Sequence, residues 1–333
     1  MNKTYLFITA LFVLIFMSCQ SRKKNNAEKQ NEIELVAEKQ LVFPLDEQTY
    51  YLSKSMFQFE ENGKEYLHFE NTRKSLYDIV IFDIENKQIA KRIPLHKTGP
   101  NGLPAVYGSR PSPDSKQILI SQNNIGRLST INNQGEVVHN YPVKTPEGRF
   151  TTFFFCSYYN APAFVKDSCI FLNQGIFKPN MKREDWPQTH MFASQNLETG
   201  KFEWVPIFYP PIFKEEYENI DGGYGFSYDY NYKENRLICG FFGYDSLMVT
   251  DDLKHIRWYN AKSKYLKSMK PKLGNAMAGI NSIIEFCEAP MYWHIMYDKY
   301  RDVYYRFAEM PYKLAPNESP YDEPKGKEFS VIV

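Results

Sequence analysis

The residue whose setting specifies a reaction is Cys19. It closes the stretch Phe16-Met17-Ser18-Cys19, behind a positive start at Met1–Lys3 and an apolar run, Tyr5–Met17, broken only by Thr9. That run has about thirteen residues, well short of the roughly twenty needed to cross a bilayer. It matches the short apolar core of a secretory signal. The order reads as a lipobox, although Phe16 stands where Leu is usual. Residues 1–18 are then a signal peptide, and Cys19 becomes the lipidated N-terminus. Residues 19–33 follow as the lipidated Cys and a tether; within them QSRKKNNAEKQNE, residues 20–32, holds no aromatic and no aliphatic larger than Ala27. Such a segment cannot bury enough surface to offset its ordering entropy. The expected partner of this end is therefore a membrane, reached through Cys19. The basic cluster Arg22-Lys23-Lys24 favours a periplasm-facing position on the outer membrane over the cell surface.

Elsewhere the chemistry-bearing residues are scattered. The chain has no GxSxG elbow, HExxH helix, GxxxxGK[ST] loop or GxGxxG fingerprint. Of six histidines, five (His68, His139, His190, His255, His294) fall in or beside strand-like runs, where packing or solvent contact is the default role. His255 follows Asp251-Asp252 in a hairpin turn and reads as solvated. Asp221-Gly222-Gly223 offers one carboxylate, far short of the six to eight oxygens that calcium takes. Cys156, Cys169, Cys239 and Cys287 lie in apolar runs without metal-type spacing and read as buried structural thiols. A disulfide is open to them in an oxidising compartment, but sequence cannot pair them. No cofactor, no metal and no catalytic residue is expected. Carboxylate pairs for glycoside hydrolysis would have to come from distant segments, and no pair stands out.

Composition narrows the partners. Lys plus Arg number 40 against 39 for Asp plus Glu, a balance that argues against a nucleic-acid binder. Phe and Tyr contribute 25 each, a load suited to strands.

The elements that must position these residues are short β-branched and aromatic runs between turn dipeptides. One hairpin type recurs with turns at Asn62-Gly63, Asp114-Ser115, Asp167-Ser168, Glu234-Asn235 and Arg301-Asp302, spaced 52, 53, 67 and 67 residues apart. A second hairpin follows each of the first four: YDIVIFDIENKQIAKRIPL, RLSTINNQGEVVHNYPV, HMFASQNLETGKFEWVPI and SLMVTDDLKHIRWY. Each unit thus holds four antiparallel strands, the signature of a β-propeller. The fold class is all-β, a propeller of four-stranded antiparallel blades over residues 34–333, with five recognisable and the last incomplete. That last unit stops at the strand EFSVIV, residues 328–333, which points to C-terminal truncation. Alternatively, Glu34–Leu45 supplies an outer strand for the last blade and closes a five-bladed ring.

Loop length separates the two faces of such a disc. Turns within each hairpin are short, whereas connections such as 174–189, 209–224, 260–278 and 308–327 are long. Both long sets emerge at the same end of an up-and-down blade, and binding residues concentrate on loops of a rigid scaffold. The candidate ligand-binding residues there are Trp186, Tyr209, Tyr217, Asp221 and Tyr224.

With lipobox, tether and repeat in hand, the chain resembles the domain-of-unknown-function 4221 family of six-bladed-type propeller lipoproteins over roughly residues 34–333. The resemblance rests on IFDIENKQIAKRIPL, on KTGPNGLPAVYG at 97–108 and on WHIMYDKYRDVYYRF at 293–307. It implies a further blade after EFSVIV and supplies no active-site residues. The expected function is a lipid-anchored envelope propeller that binds a protein or glycan on its long-loop face without catalysis. A hydrolase or lyase with residues at the central channel is the first alternative, and an envelope sensor or scaffold the second.

Overall fold

Each of the five repeated turns uses the left-handed backbone that tight hairpins demand. Asn62 and Gly63 have φ of 54° and 75°, and Asp167 and Ser168 have 49° and 57°. Ser115, Asn235 and Asp302 fall at 56°, 52° and 57°. Asn, Asp and Gly tolerate this region at least cost, and it matches the twist of the flanking strands.

The computed structural model describes residues 41–49, 52–72, 77–106, 108–112, 114–122, 126–143, 154–155, 157–158, 161–174, 188–210, 226–266, 284, 287–320 and 328–333. Blade 1 runs in order through β1 (Leu52–Glu61), β2 (Lys64–Thr72), β3 (Tyr77–Asp83) and β4 (Gln88–Pro94). Blade 2 is β5 (Gly108–Pro111), β6 (Ile118–Gln122), β7 (Arg127–Ile131) and β8 (Val137–Pro142). Three two-residue strands follow, β9 (Phe154–Phe155), β10 (Ser157–Tyr158) and β11 (Ala161–Pro162), with β10 and β11 paired. Blade 3 holds β12 (Phe164–Lys166), β13 (Cys169–Gln174), β14 (Phe192–Asn196) and β15 (Phe202–Trp204), and β9 adds to β13. Blade 4 is β16 (Phe226–Asn231), β17 (Arg236–Phe241), β18 (Ser246–Thr250) and β19 (Arg257–Asn260). Blade 5 has β20 (Met291–Asp298), β21 (Val303–Glu309) and β22 (Phe329–Ile332). Every pairing is antiparallel. Helix among the described residues is confined to Ile284 and Cys287–Glu288. The molecule is a five-bladed β-propeller, three strands of whose last blade lie among the described residues.

Two-residue alternation glues one blade to the next. Ile118 and Ile120 of β6 pack with Ile79, Ile81 and Ile93 of blade 1, while Leu119 between them packs with Ile170 and Leu172 of blade 3. Blades 3 and 4 share an aromatic seam built on Phe164, Phe192, Tyr228 and Phe241, and blades 4 and 5 meet at Ile238, Val249 and Ile295. Each buried aliphatic contributes roughly 1.5–3 kcal/mol, so no blade is stable without its neighbours. The contacts between blades 5 and 1 are of another kind. Lys299 bridges Glu65 at 2.9 Å and Glu60 at 3.4 Å, and the Tyr300 hydroxyl takes a hydrogen bond from Gln58 Nε2 at 3.1 Å.

Of Glu34–Leu45, residues 34–40 lie outside the described residues, and Leu41–Leu45 form no strand. Phe43 instead packs beside Phe82 of blade 1, at 5.8 Å between ring centroids. Asp46 accepts a hydrogen bond from Arg92 of β4 at 2.5 Å, so the chain enters along blade 1. The compact unit spans Phe43–Val333; residues 1–42 form the other, of which the exposed Leu41 and Val42 are described. The buried-thiol expectation holds for Cys239, whereas Cys169 and Cys287 are half-buried, the latter donating to the Pro320 carbonyl at 3.1 Å; Cys156 lies outside the described residues.

Among the described residues β22 pairs on one side only, with β21, and leaves Phe329 54% and Val333 56% exposed. An open apolar edge is a template for association. Phe329→Lys is therefore expected to cut concentration-dependent light scattering severalfold. Scattering equal to that of the parent chain would show that association runs through another surface.

Candidate functional site

The inner strands converge on Arg110. β5 is only four residues long, Gly108-Ser109-Arg110-Pro111, with Pro111 at its end and Arg110 opposite Leu119. Gly108 and Ser109 are buried, and Arg110 is half-buried. Its guanidinium carbon lies 5.1 Å from the centroid of the Phe57 ring, on β1 of blade 1. Nη2 donates to the Tyr232 hydroxyl, 3.2 Å away, in the turn that follows β16 of blade 4. The same hydroxyl accepts from the backbone N–H of Val165, on β12 of blade 3, at 3.2 Å. Among the described residues Nη1 is shielded from solvent without a hydrogen-bond partner, and no carboxylate forms an ion pair with Arg110.

Blade 5 joins through Asp229 of β16. Its Oδ1 accepts from the Tyr230 N–H at 2.8 Å, and its Oδ2 from the Tyr297 N–H of β20, also at 2.8 Å. Burial of the carboxyl among packed strands pushes its pKa up to about 6, opposed by those two hydrogen bonds and by the charge of Arg110. Phe57, Arg110, Val165, Tyr232 with Asp229, and Tyr297 thus bring one contribution from each of the five blades.

Behind this cluster, between blades 1 and 2, lies a sealed polar group. His68 is fully buried opposite Phe57, with Nε2 2.8 Å from Ser109 Oγ. Burial, reinforced by the Arg110 charge, holds the ring neutral by lowering its pKa to about 3. Glu70, two residues on and on the same face of β2, is 5% exposed and takes hydrogen bonds from the Ser109 hydroxyl and backbone N–H. Desolvation nevertheless raises its pKa to about 7. Both groups sit away from solvent, His68 at 0% and Glu70 at 5% exposure. Toward the turn side, Tyr232 is 49% and Tyr300 64% exposed, and Gln58 lies beside them. Among the described residues no group of three His, Cys, Asp or Glu side chains is arranged to hold a metal ion.

Of the residues expected to bind ligand, Tyr209 is 3% exposed, with edge-on contact to Phe226 at 5.7 Å and a tilted contact to Phe241 at 6.4 Å. It is a packing ring of the seam between blades 3 and 4 rather than a loop-surface residue. Trp186, Tyr217, Asp221 and Tyr224 lie outside the described residues, as does Cys19. His255 sits in its exposed turn, 2.6 Å from Asp252. Sequence reasoning missed Arg110. The available signal was a charged residue inside a short strand otherwise made of Gly, Ser and Pro.

Fold and axis together define a β-propeller with a polar cluster shared by all its blades. The chain belongs to the family described as Domain of unknown function (DUF4221), whose profile matches residues 32–333. It is similar to a crystallised member of that family from Bacteroides vulgatus, with 82% identity and a TM-score of 0.84, over 91% of this chain and 84% of that one. It is also similar to an exported-protein candidate from Bacteroides fragilis at 9% identity and a TM-score of 0.49, over 81% of this chain and 69% of that one. No curated protein matches the chain.

Proposed function

We propose that this protein is a lipid-anchored propeller of the cell envelope, held to the outer membrane through Cys19 and facing the periplasm, that binds a glycan without transforming it. The convergence of five inner strands on one axial cluster carries this reading. The carboxylate in that cluster accepts a backbone N–H on each oxygen, which fixes it as a link between blades 4 and 5. What remains available is a guanidinium, a hydroxyl and exposed aromatic faces, groups suited to the rings and hydroxyls of a sugar chain. A glycan array read with the parent chain and with the Tyr232→Ala/Tyr300→Ala double variant tests the site. Losing two ring contacts is expected to weaken hits about tenfold. Undiminished hits would move the ligand to the long-loop face carrying Trp186, Tyr217, Asp221 and Tyr224.

The anchor has its own test. Cys19→Ala removes the acylated thiol, and without acyl chains nothing in the basic tether matches the roughly 0.8 kcal/mol contributed by each buried methylene. The variant is expected in the soluble fraction after cell lysis. Its retention with membranes would refute lipidation.

A further inference from the structure

Resting on that axial binding reading, we propose that Arg110 is the receptor for an oxyanion on the ligand, a carboxylate, sulfate or phosphate oxygen that docks against its guanidinium edge. Three observations on the page converge on this. The guanidinium is half-buried in the ring with its face on Phe57, so its hydration is curtailed while its charge persists. One nitrogen has found a hydroxyl, the other has no acceptor, and no ion pair neutralises the group among the described residues. An unpaired polar group shielded from water is costly to leave unmade, and a planar fork of donors matches an oxyanion better than any other ligand group.

The surrounding charges do not already perform this role. Asp229 is the carboxylate whose field reaches Arg110, but its oxygens face the Tyr230 and Tyr297 N–H groups. His68, which also lies within the field of Arg110, is neutral. At the rim, Lys299 is paired with Glu60 and Glu65, and Lys233 with Asp302 at 2.6 Å, whereas Arg110 makes no ion pair among the described residues. Tyr232 would then share its hydroxyl between Arg110 and the ligand, coupling the aromatic rim to the anion.

The test compares sodium glucuronate, inorganic phosphate and sodium sulfate with methyl glucoside, all at ionic strength matched with sodium chloride. Thermal unfolding and calorimetry are read on the parent chain and on Arg110→Gln and Arg110→Lys. At least one oxyanion is expected to raise Tm of the parent chain by about 2–4 °C at tenfold excess over its Kd. The shift should vanish in Arg110→Gln and shrink in Arg110→Lys, whose point charge cannot make the bidentate contact. Glucuronate alone being active would identify an acidic sugar, whereas phosphate or sulfate alone would identify a free anion; either supports the proposal. If methyl glucoside shifts Tm as much as glucuronate, the binding reading stands and the oxyanion proposal falls. The proposal also falls if no oxyanion acts on the parent chain, a result independent of how the Arg110 variants fold. An anion shift that persists in a folded Arg110→Gln overturns it as well.

Discussion

Arg306→Met is expected to lower stability by about 3–5 kcal/mol, the cost typical of removing one partner from a buried charged network. Arg306 is 2% exposed on β21 and reaches across to blade 4. Nη1 donates to the carbonyls of Asp245 and Ala261 at 2.7 and 2.8 Å, and Nη2 to those of Tyr244 and Phe241 at 2.5 and 3.5 Å. The guanidinium carbon lies 3.5 Å from the centroid of the Tyr292 ring. That ring's hydroxyl donates to Asp245 Oδ1 at 2.7 Å and accepts from the Ser263 N–H at 3.0 Å. Burial pulls the Arg306 pKa down to about 10, yet the group stays charged at neutral pH because carbonyl dipoles and the nearby Asp245 support it. Met fills much of the volume but removes the donor of the Ala261 and Tyr244 carbonyls, each costing about 1–3 kcal/mol when buried and unpaired, while the Asp245 and Phe241 carbonyls keep the backbone N–H groups of Ala261 and Tyr244. Arg306→Lys retains one cation with fewer donors and should fall between the two. Denaturant unfolding measures the loss, and hydrogen exchange should accelerate around residues 241–245 and 261, at the seam. Parent-like unfolding of Arg306→Met would mean that the apolar contacts of Ile238, Val249 and Ile295 hold blade 5 unaided.

Glu70→Gln is expected to stabilise the chain above neutral pH and leave it nearly unchanged in mild acid. A buried carboxyl whose pKa rises from 4.5 to about 7 favours folding while protonated. That contribution is complete below 4.5, declines as pH climbs through the folded value and is gone above about 7. At 1.4 kcal/mol per unit, the swing is roughly 3 kcal/mol. The variant cannot ionise, so it escapes that decline. His68 contributes with opposite sign. Its pKa falls from 6.5 to about 3, so its stabilising neutral form is fully present above 6.5 and its contribution is lost as pH drops toward 3. Unfolding free energies from pH 4 to 8 should therefore show limbs common to both proteins, from His68 in acid and from Asp229 as pH rises through about 6, and a further decline through about pH 7 confined to the parent. Parallel curves across pH 5–8 would show that Glu70 finds compensating solvation.

The sequence by itself determined the β-hairpins, their registers and their order. Asn62-Gly63, Asp167-Ser168 and the related turns force left-handed backbone between alternating apolar strands, and both signals are local. All nine hairpins read from a turn dipeptide or an alternating pattern, five of the first type and four of the second, appear as paired strands in the structure. Tertiary structure decided everything that depends on which blades meet. Phe43 packs on blade 1, against the aromatic faces of Phe69 and Phe82. Tyr209 packs inward although its neighbours in sequence read as a surface loop. Arg110 gains its meaning from Phe57, Val165 and Tyr232, residues more than fifty positions away that share no pattern with it. Hairpins are dictated by contacts a few residues apart, whereas a propeller axis exists only once the ring brings its inner strands together.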